Sequence, residues 1–164
     1  LEDLTIVEGL KATSWPGRLD WRKLEDGRMV LLDGAHKPHA AQELAAYIDH
    51  AVRPQAVRWV VALSLGKDAK GILKQLLRDK DMFTAVSFSK VKGMPWVCPE
   101  APAELVKVAS ELKPSISAKA ASHFEEALQE DADAVVKPEI VICGSLYLVA
   151  DVISSISKPA RGLK

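Results

Sequence analysis

Strand-like and helix-like segments alternate along most of this chain, and that alternation restricts it to a sheet whose strands run mostly parallel. Leu19–Leu24 and Met29–Leu32 read as two short strands joined by a turn at Asp26-Gly27, a hairpin signal. A helix is predicted over Ala40–Val52, where Leu44, Ala45, Ile48 and Val52 share a face. Ala56–Leu63 follows as a buried strand, on the run Val57, Trp59, Val60 and Val61. Asp68 is placed to cap a helix over Ala69–Arg78, whose Ile72, Leu73, Leu76 and Leu77 line one side. Met82–Ser89 is the next strand, and Lys92 to Pro102 is a loop broken by Gly93, Pro95, Pro99 and Pro102. Helices are predicted at Ala103–Leu112 and Ser122–Ala132, a last buried strand at Glu139–Cys143, and an apolar closing helix at Leu146–Ile156.

The fold class expected is therefore α/β: a mostly parallel sheet with an antiparallel edge hairpin and helices on both faces. Ligands of such folds sit outside the carboxyl ends of the strands, where loops enter helices. Function is accordingly sought at Asp33–His39, Ser64–Asp68, Ser87–Lys92 and Gly144–Tyr147.

A length of 164 residues suits a single domain over residues 1–164, large enough to bury roughly two thirds of its unfolded surface. Its 22 basic side chains balance 22 acidic ones, which argues against bulk attraction to nucleic acid or to an anionic membrane. No apolar run reaches the ~20 residues of a membrane helix. Cys98 and Cys143 lie far apart without metal-ligand spacing, so a reducing compartment is expected and a structural zinc site is not. The chain opens on Leu1 rather than methionine and shows no signal peptide, which leads us to expect a longer parent polypeptide. Asparagine is absent altogether, which excludes N-linked glycosylation.

The densest chemistry lies in Leu31-Leu32-Asp33-Gly34-Ala35-His36-Lys37-Pro38-His39. An apolar strand delivers Asp33 to its carboxyl end, Gly34 permits a tight turn, and Pro38 sits where a first helical turn begins. Free N–H groups at a helix start beside His36 and Lys37 suit an anion such as phosphate. Asp33 can bind a ribose hydroxyl, or a metal through water; equally, Asp33 and His36 can simply brace the turn. His36 and His39 do not complete a metal-ligand set. Ser14-Trp15-Pro16-Gly17-Arg18 supplies a turn followed by an arginine able to fork onto phosphate or carboxylate, or merely to be solvated. Cys143-Gly144-Ser145-Leu146-Tyr147 again places glycine and serine at a helix entry, where Ser145 serves a ligand or acts as an N-cap. Gly66-Lys67-Asp68 is similar: Lys67 can approach a ligand at the sheet edge, or simply be solvated. The chain has no GxxxxGK[ST] phosphate loop, no GxGxxG fingerprint and no GxSxG elbow, so it can hold part of a nucleotide but lacks the parts to transfer a phosphoryl group alone.

Trp15-Pro16-Gly17-Arg18-Leu19, Leu31-Leu32-Asp33-Gly34-Ala35-His36 and Gly144-Ser145-Leu146-Tyr147-Leu148-Val149, in that order and spacing, resemble the C-terminal domain of the folylpolyglutamate synthase and dihydrofolate synthase family. Lys67-Asp68 also looks like that family's Lys-Asp pair. The motifs cover a small part of the chain, while the matching strand–helix order extends over nearly all of it. The resemblance implies a Rossmann-like, Mur-ligase-type C-terminal domain. It further implies an upstream domain, outside this chain, that carries the phosphate loop and most ligands of Mg2+. The reaction implied activates a folate or dihydropteroate carboxylate with ATP as an acyl phosphate, which the amine of L-glutamate then attacks. Carried over by position, Arg18, Asp33 and Lys37 would contact ATP, His36 would lie by the phosphates and the incoming glutamate as a catalytic group, and Ser145 with Tyr147 would form the glutamate pocket. A monomeric enzyme of the cytoplasm or mitochondria, with no nucleic-acid or membrane partner and inactive as this fragment alone, completes the expectation.

One position departs from the pattern. The family usually reads Asp-Gly-Ala-His-Asn-Pro, whereas this chain has Lys37 at the asparagine site, adding a charge and losing an amide acceptor. A non-catalytic nucleotide-binding or regulatory module that kept the fold is therefore the alternative. A cell-wall ligase of the same architecture is disfavoured by Trp15–Leu19 and Gly144–Val149.

Overall fold

Val30, Leu31, Leu32, Val141 and Ile142 have no solvent exposure, the condition for strands covered by helices on both faces. A computed structural model describes residues 15–129 and 138–156. Its strands are β1 (Asp20–Lys23), β2 (Met29–Asp33), β3 (Val57–Val61), β4 (Met82–Ala85), β5 (Ser117–Ala120) and β6 (Glu139–Cys143). The helices are α1 (Pro38–Ala51), α2 (Ala69–Leu76), α3 (Pro102–Leu112), α4 (Phe124–Gln129) and α5 (Leu146–Ile156). The six strands form one sheet in the order β1-β2-β6-β3-β4-β5. The β1–β2 pair is antiparallel and every other neighbouring pair is parallel, as the alternation predicted.

The period-2 geometry of the strands sorts the core into two layers. Leu31, Trp59, Val61, Phe83 and Val141 pack against Leu44 and Ile48 of α1, Ile72 and Leu76 of α2, and Leu105 of α3. Val30, Leu32, Val60, Ile140 and Ile142 pack on the opposite face against Phe124 and Leu128 of α4 and Leu148, Val149 and Val152 of α5. The chain thus winds β2-α1-β3-α2-β4-α3-β5 along one face and returns through α4 on the other. It then inserts β6 between β2 and β3. Among the described residues no helix is long and apolar enough to cross a membrane.

The elements differ from expectation in several places, besides shifts of one or two residues at ends of β1, β2, α1, β3 and α3. Strand β5 was not foreseen, because Ser117-Ala118-Lys119-Ala120 is short and has no β-branched or aromatic residue; it closes the sheet edge, where a lysine is tolerated. β4 stops at Ala85 instead of Ser89, where its pairing with Ala120 also ends. α2 stops at Leu76 instead of Arg78, whose backbone N–H donates to the carboxylate of Asp81 at 3.0 Å. α4 begins at Phe124, two residues late, and the predicted end at residues 130–132 lies outside the described residues. The Asp68 cap holds: its Oδ1 accepts the Gly71 N–H at 2.8 Å.

Candidate active site

Adjacent parallel strands β2 and β6 send their chains to opposite faces of the sheet, β2 into α1 and β6 into α5. Asp33 and Cys143 are register partners at that divergence, so the two following loops separate and leave a crevice beyond the strand ends. β3 sends its chain to the same face as β2, which opens a second gap on the other side of β6.

The turn before β1 is drawn into this crevice. Asp33 is almost wholly buried, and both its oxygens are engaged: Oδ1 accepts the Ala35 N–H at 2.8 Å and Oδ2 the Leu19 N–H at 2.9 Å. The Gly34 N–H donates to Gly17 O at 2.9 Å, so the loops bearing Arg18 and Asp33 are bound together. Arg18 is exposed, its Nη1 donates to Gly17 O at 3.1 Å, and its guanidinium lies over Gly34 beside Leu146. His36 is half-buried, with Nδ1 2.8 Å from Gly34 O, a contact that orients the ring. Both bracing roles weighed from the sequence for Asp33 and His36 are therefore present. A carboxylate with two acceptances in use retains lone pairs for a ligand.

On the β6 side, Gly144 adopts φ +97°, and a Cβ there would come within 2.5 Å of Ala62 O. This position takes only glycine, and that close approach carries the chain into α5. Ser145 is buried and caps the helix, its Oγ accepting the Tyr147 N–H at 3.1 Å. Tyr147 is half-buried against Phe88, with ring centroids 5.3 Å apart. Beside them, burial pushes the Cys143 thiol far up, helped by the carboxylate of Asp33, so it stays protonated and is no nucleophile at neutral pH.

Two clefts result. One of about 780 Å³ is lined by Arg18, Asp33, His36, Lys37, Glu43 and Tyr47. The other, of about 420 Å³, is lined by His36, Ser64, Lys67, Trp96, Ser145 and Tyr147 among others. Both fall within the range of ligand sites, and His36 belongs to both. All six residues singled out from the sequence thus line one rim: Arg18, Asp33, His36 and Lys37 on one side, Ser145 and Tyr147 on the other. Of the loops nominated, Ser87–Lys92 does not join them. Ser87 and Ser89 line a separate groove with His123, Glu126 and Asp151, because β4 lies two strands away from β6. Leu65, within the nominated Ser64–Asp68, lines the smaller cleft together with Trp96, Val97 and Cys98, and these last three were missed. They come from a loop without regular pattern, and its one signal was a tryptophan among prolines.

Lys37 is the N-cap residue of α1, in extended conformation (φ −137°, ψ 151°), and makes no side-chain cap bond. Asparagine in that geometry accepts an N–H of the first turn. Lys37→Asn is therefore expected to stabilise the domain by about 0.5–1 kcal/mol, read as an increased midpoint in urea unfolding with unchanged slope. A destabilised variant would show that the lysine ammonium already serves the helix start in another way.

Among the described residues no group of three or more His, Cys, Asp or Glu side chains is arranged to hold a metal ion. The side chains in hand thus do not fit a complete Mg2+ site.

Residues 18–155 match the family described as dihydrofolate synthetase, C-terminal domain. The chain is 39% identical over 150 residues to a probable dihydrofolate synthetase of Schizosaccharomyces pombe, covering 89% of this chain and 35% of that protein. It is 32% identical over 153 residues to the dihydrofolate synthetase of Saccharomyces cerevisiae, covering 88% and 36%. Among solved structures, the bifunctional folylpolyglutamate synthase/dihydrofolate synthase of Yersinia pestis superposes with a TM-score of 0.71 at 28% identity, over 96% of this chain and 35% of that one. Another structure of a bifunctional folylpolyglutamate synthase/dihydrofolate synthase holds Mn, AMPPNP and L-glutamate, and matches with a TM-score of 0.70 at 28% identity. The chain spans about a third of the length of these relatives. By its sequence match and its fold alike, this chain belongs to the dihydrofolate synthetase C-terminal domain family.

Proposed function

We propose that this chain is the nucleotide-closing part of an ATP-dependent ligase that joins L-glutamate to a dihydropteroate or folate carboxylate through an acyl phosphate. What carries the proposal is the convergence of Arg18, Asp33 and His36 with Ser145 at the point where β2 and β6 part, on clefts that share His36. The larger cleft suits ATP: Arg18 and Lys37 bring positive charge to the phosphates, and Asp33 retains acceptor capacity for a ribose hydroxyl. The α5 start beside Ser145, with Lys67, suits the carboxylates of glutamate. His36, lying between the two, is placed to hold a proton where phosphate and amine meet. Mg2+, used to polarise the phosphates, would be held chiefly by a phosphate-loop domain upstream, since the donors described here do not form its site.

The division of labour has a physical rationale. Arg18 is exposed in the separate domain and reaches phosphate only on closure, which excludes water until the acid and amine are in place. The test uses the longest natural protein containing this chain, with ATP, L-glutamate and dihydropteroate, following amide product and released phosphate. ATP turnover is expected only when acid and amine are both present, and the 164-residue chain alone is expected to form no amide. Uncoupled hydrolysis at the full rate, or amide formation by the fragment, would overturn the proposal. Lys37 in place of the family's asparagine favours a second reading, a nucleotide-binding module without chemistry. Tight ATP binding with no amide product from the natural protein would decide for it.

A further inference from the structure

Trp96 keeps 74% of its surface in water, although burying an indole is among the larger apolar gains a side chain offers. The backbone that carries it is nevertheless fixed. The Leu65 N–H donates to Cys98 O at 2.8 Å, the Glu100 N–H to Leu63 O at 2.7 Å and the Val97 N–H to Met94 O at 3.0 Å. Ser64 and Pro99 add an antiparallel bridge. The backbone thus holds the indole at the cleft, and among the described residues no packing role requires it there, the signature of a surface shaped for a ligand. Leu65, likewise 65% exposed, lines the same cleft. Lys67, His36 and Ser145 contribute its polar part. The space, about 420 Å³, therefore combines polar groups suited to carboxylates with an apolar aromatic wall. It exceeds what one amino acid fills.

Resting on the ligase reading above, we propose that Trp96 is a specificity-determining residue for the acid substrate, stacking on an aromatic ring that bears the reacting carboxyl directly. In dihydropteroate that carboxyl is a substituent of a benzene ring, so the ring lies one bond from the carbon that the amine attacks. With the amine donor at Lys67 and Ser145, the ring falls beside the same cleft and within reach of its aromatic wall. An acid whose reacting carboxyl ends a flexible glutamyl chain carries its ring much farther away and gains little from the indole. The wall thus selects an aromatic carboxylate over a glutamyl one, by offset stacking of two planar systems.

The experiment compares the natural full-length protein with Trp96→Ala and Trp96→Phe in steady-state amide formation. In Trp96→Ala the KM for dihydropteroate is expected to rise about tenfold, the size of a lost aromatic stack. The KM values for ATP and glutamate should stay within about twofold, and Trp96→Phe should recover most of the loss. With a folate monoglutamate as acid, the same substitution should change KM less than about twofold. An unchanged KM for dihydropteroate overturns the proposal. So does an increase confined to ATP, which would put adenine on the indole. Absence of amide formation by the unsubstituted protein is a different failure: it removes the ligase reading itself, and this proposal with it.

Discussion

Replacing Asp81 with alanine is expected to cost the domain about 3–5 kcal/mol, the range found when one partner of a buried ion pair is removed. The side chain of Asp81 has no solvent exposure, yet its two oxygens serve five donors. Arg53 grips them with Nη1 at 3.0 Å and Nη2 at 2.7 Å, Trp59 Nε1 donates at 2.9 Å, and the N–H groups of Val57 and Arg78 donate at 3.2 and 3.0 Å. One carboxylate thereby fixes the start of β3, the end of α2 and the largest fully buried side chain of the core. Alanine leaves those donors without an acceptor in a space too apolar to hydrate them all, and each orphaned donor costs about 1–3 kcal/mol. Against a typical domain stability of about 5–15 kcal/mol, the variant should be marginal at 37 °C. Urea unfolding would show it as a large fall in midpoint at constant slope; a loss below about 1 kcal/mol would mean that water replaces the carboxylate.

The same cluster extends to the surface. Burial pushes the Asp49 carboxyl up, but hydrogen bonds and charge from Arg78 and Arg53 outweigh it and hold the group below the usual carboxylate range. A folded-state value below the unfolded one contributes stability that is present above the unfolded value and is lost as pH falls through the folded one. Because Asp49 is largely exposed, that contribution is screened and small beside the Asp81 cluster.

How much of this was legible in the sequence depended on whether a residue's role was local. The buried runs of β2, β3 and β6 declare themselves by composition, and the order of strands and helices follows from period alone. Asp33, Ser145 and Lys67 were nominated because parallel sheets put their ligand loops at strand ends, and each sits within a few residues of one. The sequence does not say which strand ends are neighbours. β6 is last in the chain but central in the sheet, and that placement unites Asp33 with Ser145 while leaving Ser87–Lys92 apart. The role of Asp81 leaves no local signal, since its partners Arg53 and Trp59 lie 28 and 22 residues away. Trp96 escaped for the opposite reason: its loop is ordered by backbone bonds to Leu63 and Leu65, which leave no periodic trace. β5 failed on propensity, because serine, lysine and two alanines at an edge are recruited by pairing with β4 rather than by their own preference.

The second large effect should come from the smallest substitution available, Gly34→Ala. Gly34 does not have a positive φ, so alanine fits the backbone without strain and even restricts the unfolded chain. Its Cβ, however, would occupy the place of the Arg18 guanidinium and of the Leu146 side chain. Arg18 is exposed and Leu146 is 43% exposed, so both can swing aside at little cost to folding, and the change in stability should stay within about 1 kcal/mol. Turnover should respond quite differently. If Arg18 meets phosphate on domain closure, displacing its terminal atoms by about an ångström is enough to lower kcat roughly 100-fold in the full-length protein. Arg18→Ala should lose at least as much. The double variant then decides whether the glycine acts through the arginine. Two changes that disable one contact do not multiply, so Gly34→Ala added to Arg18→Ala should reduce kcat by no more than about threefold further. Multiplying losses would instead assign Gly34 an independent part in the loop. Unchanged turnover in Gly34→Ala at wild-type stability would mean that the position of Arg18 over this glycine has no bearing on the chemistry.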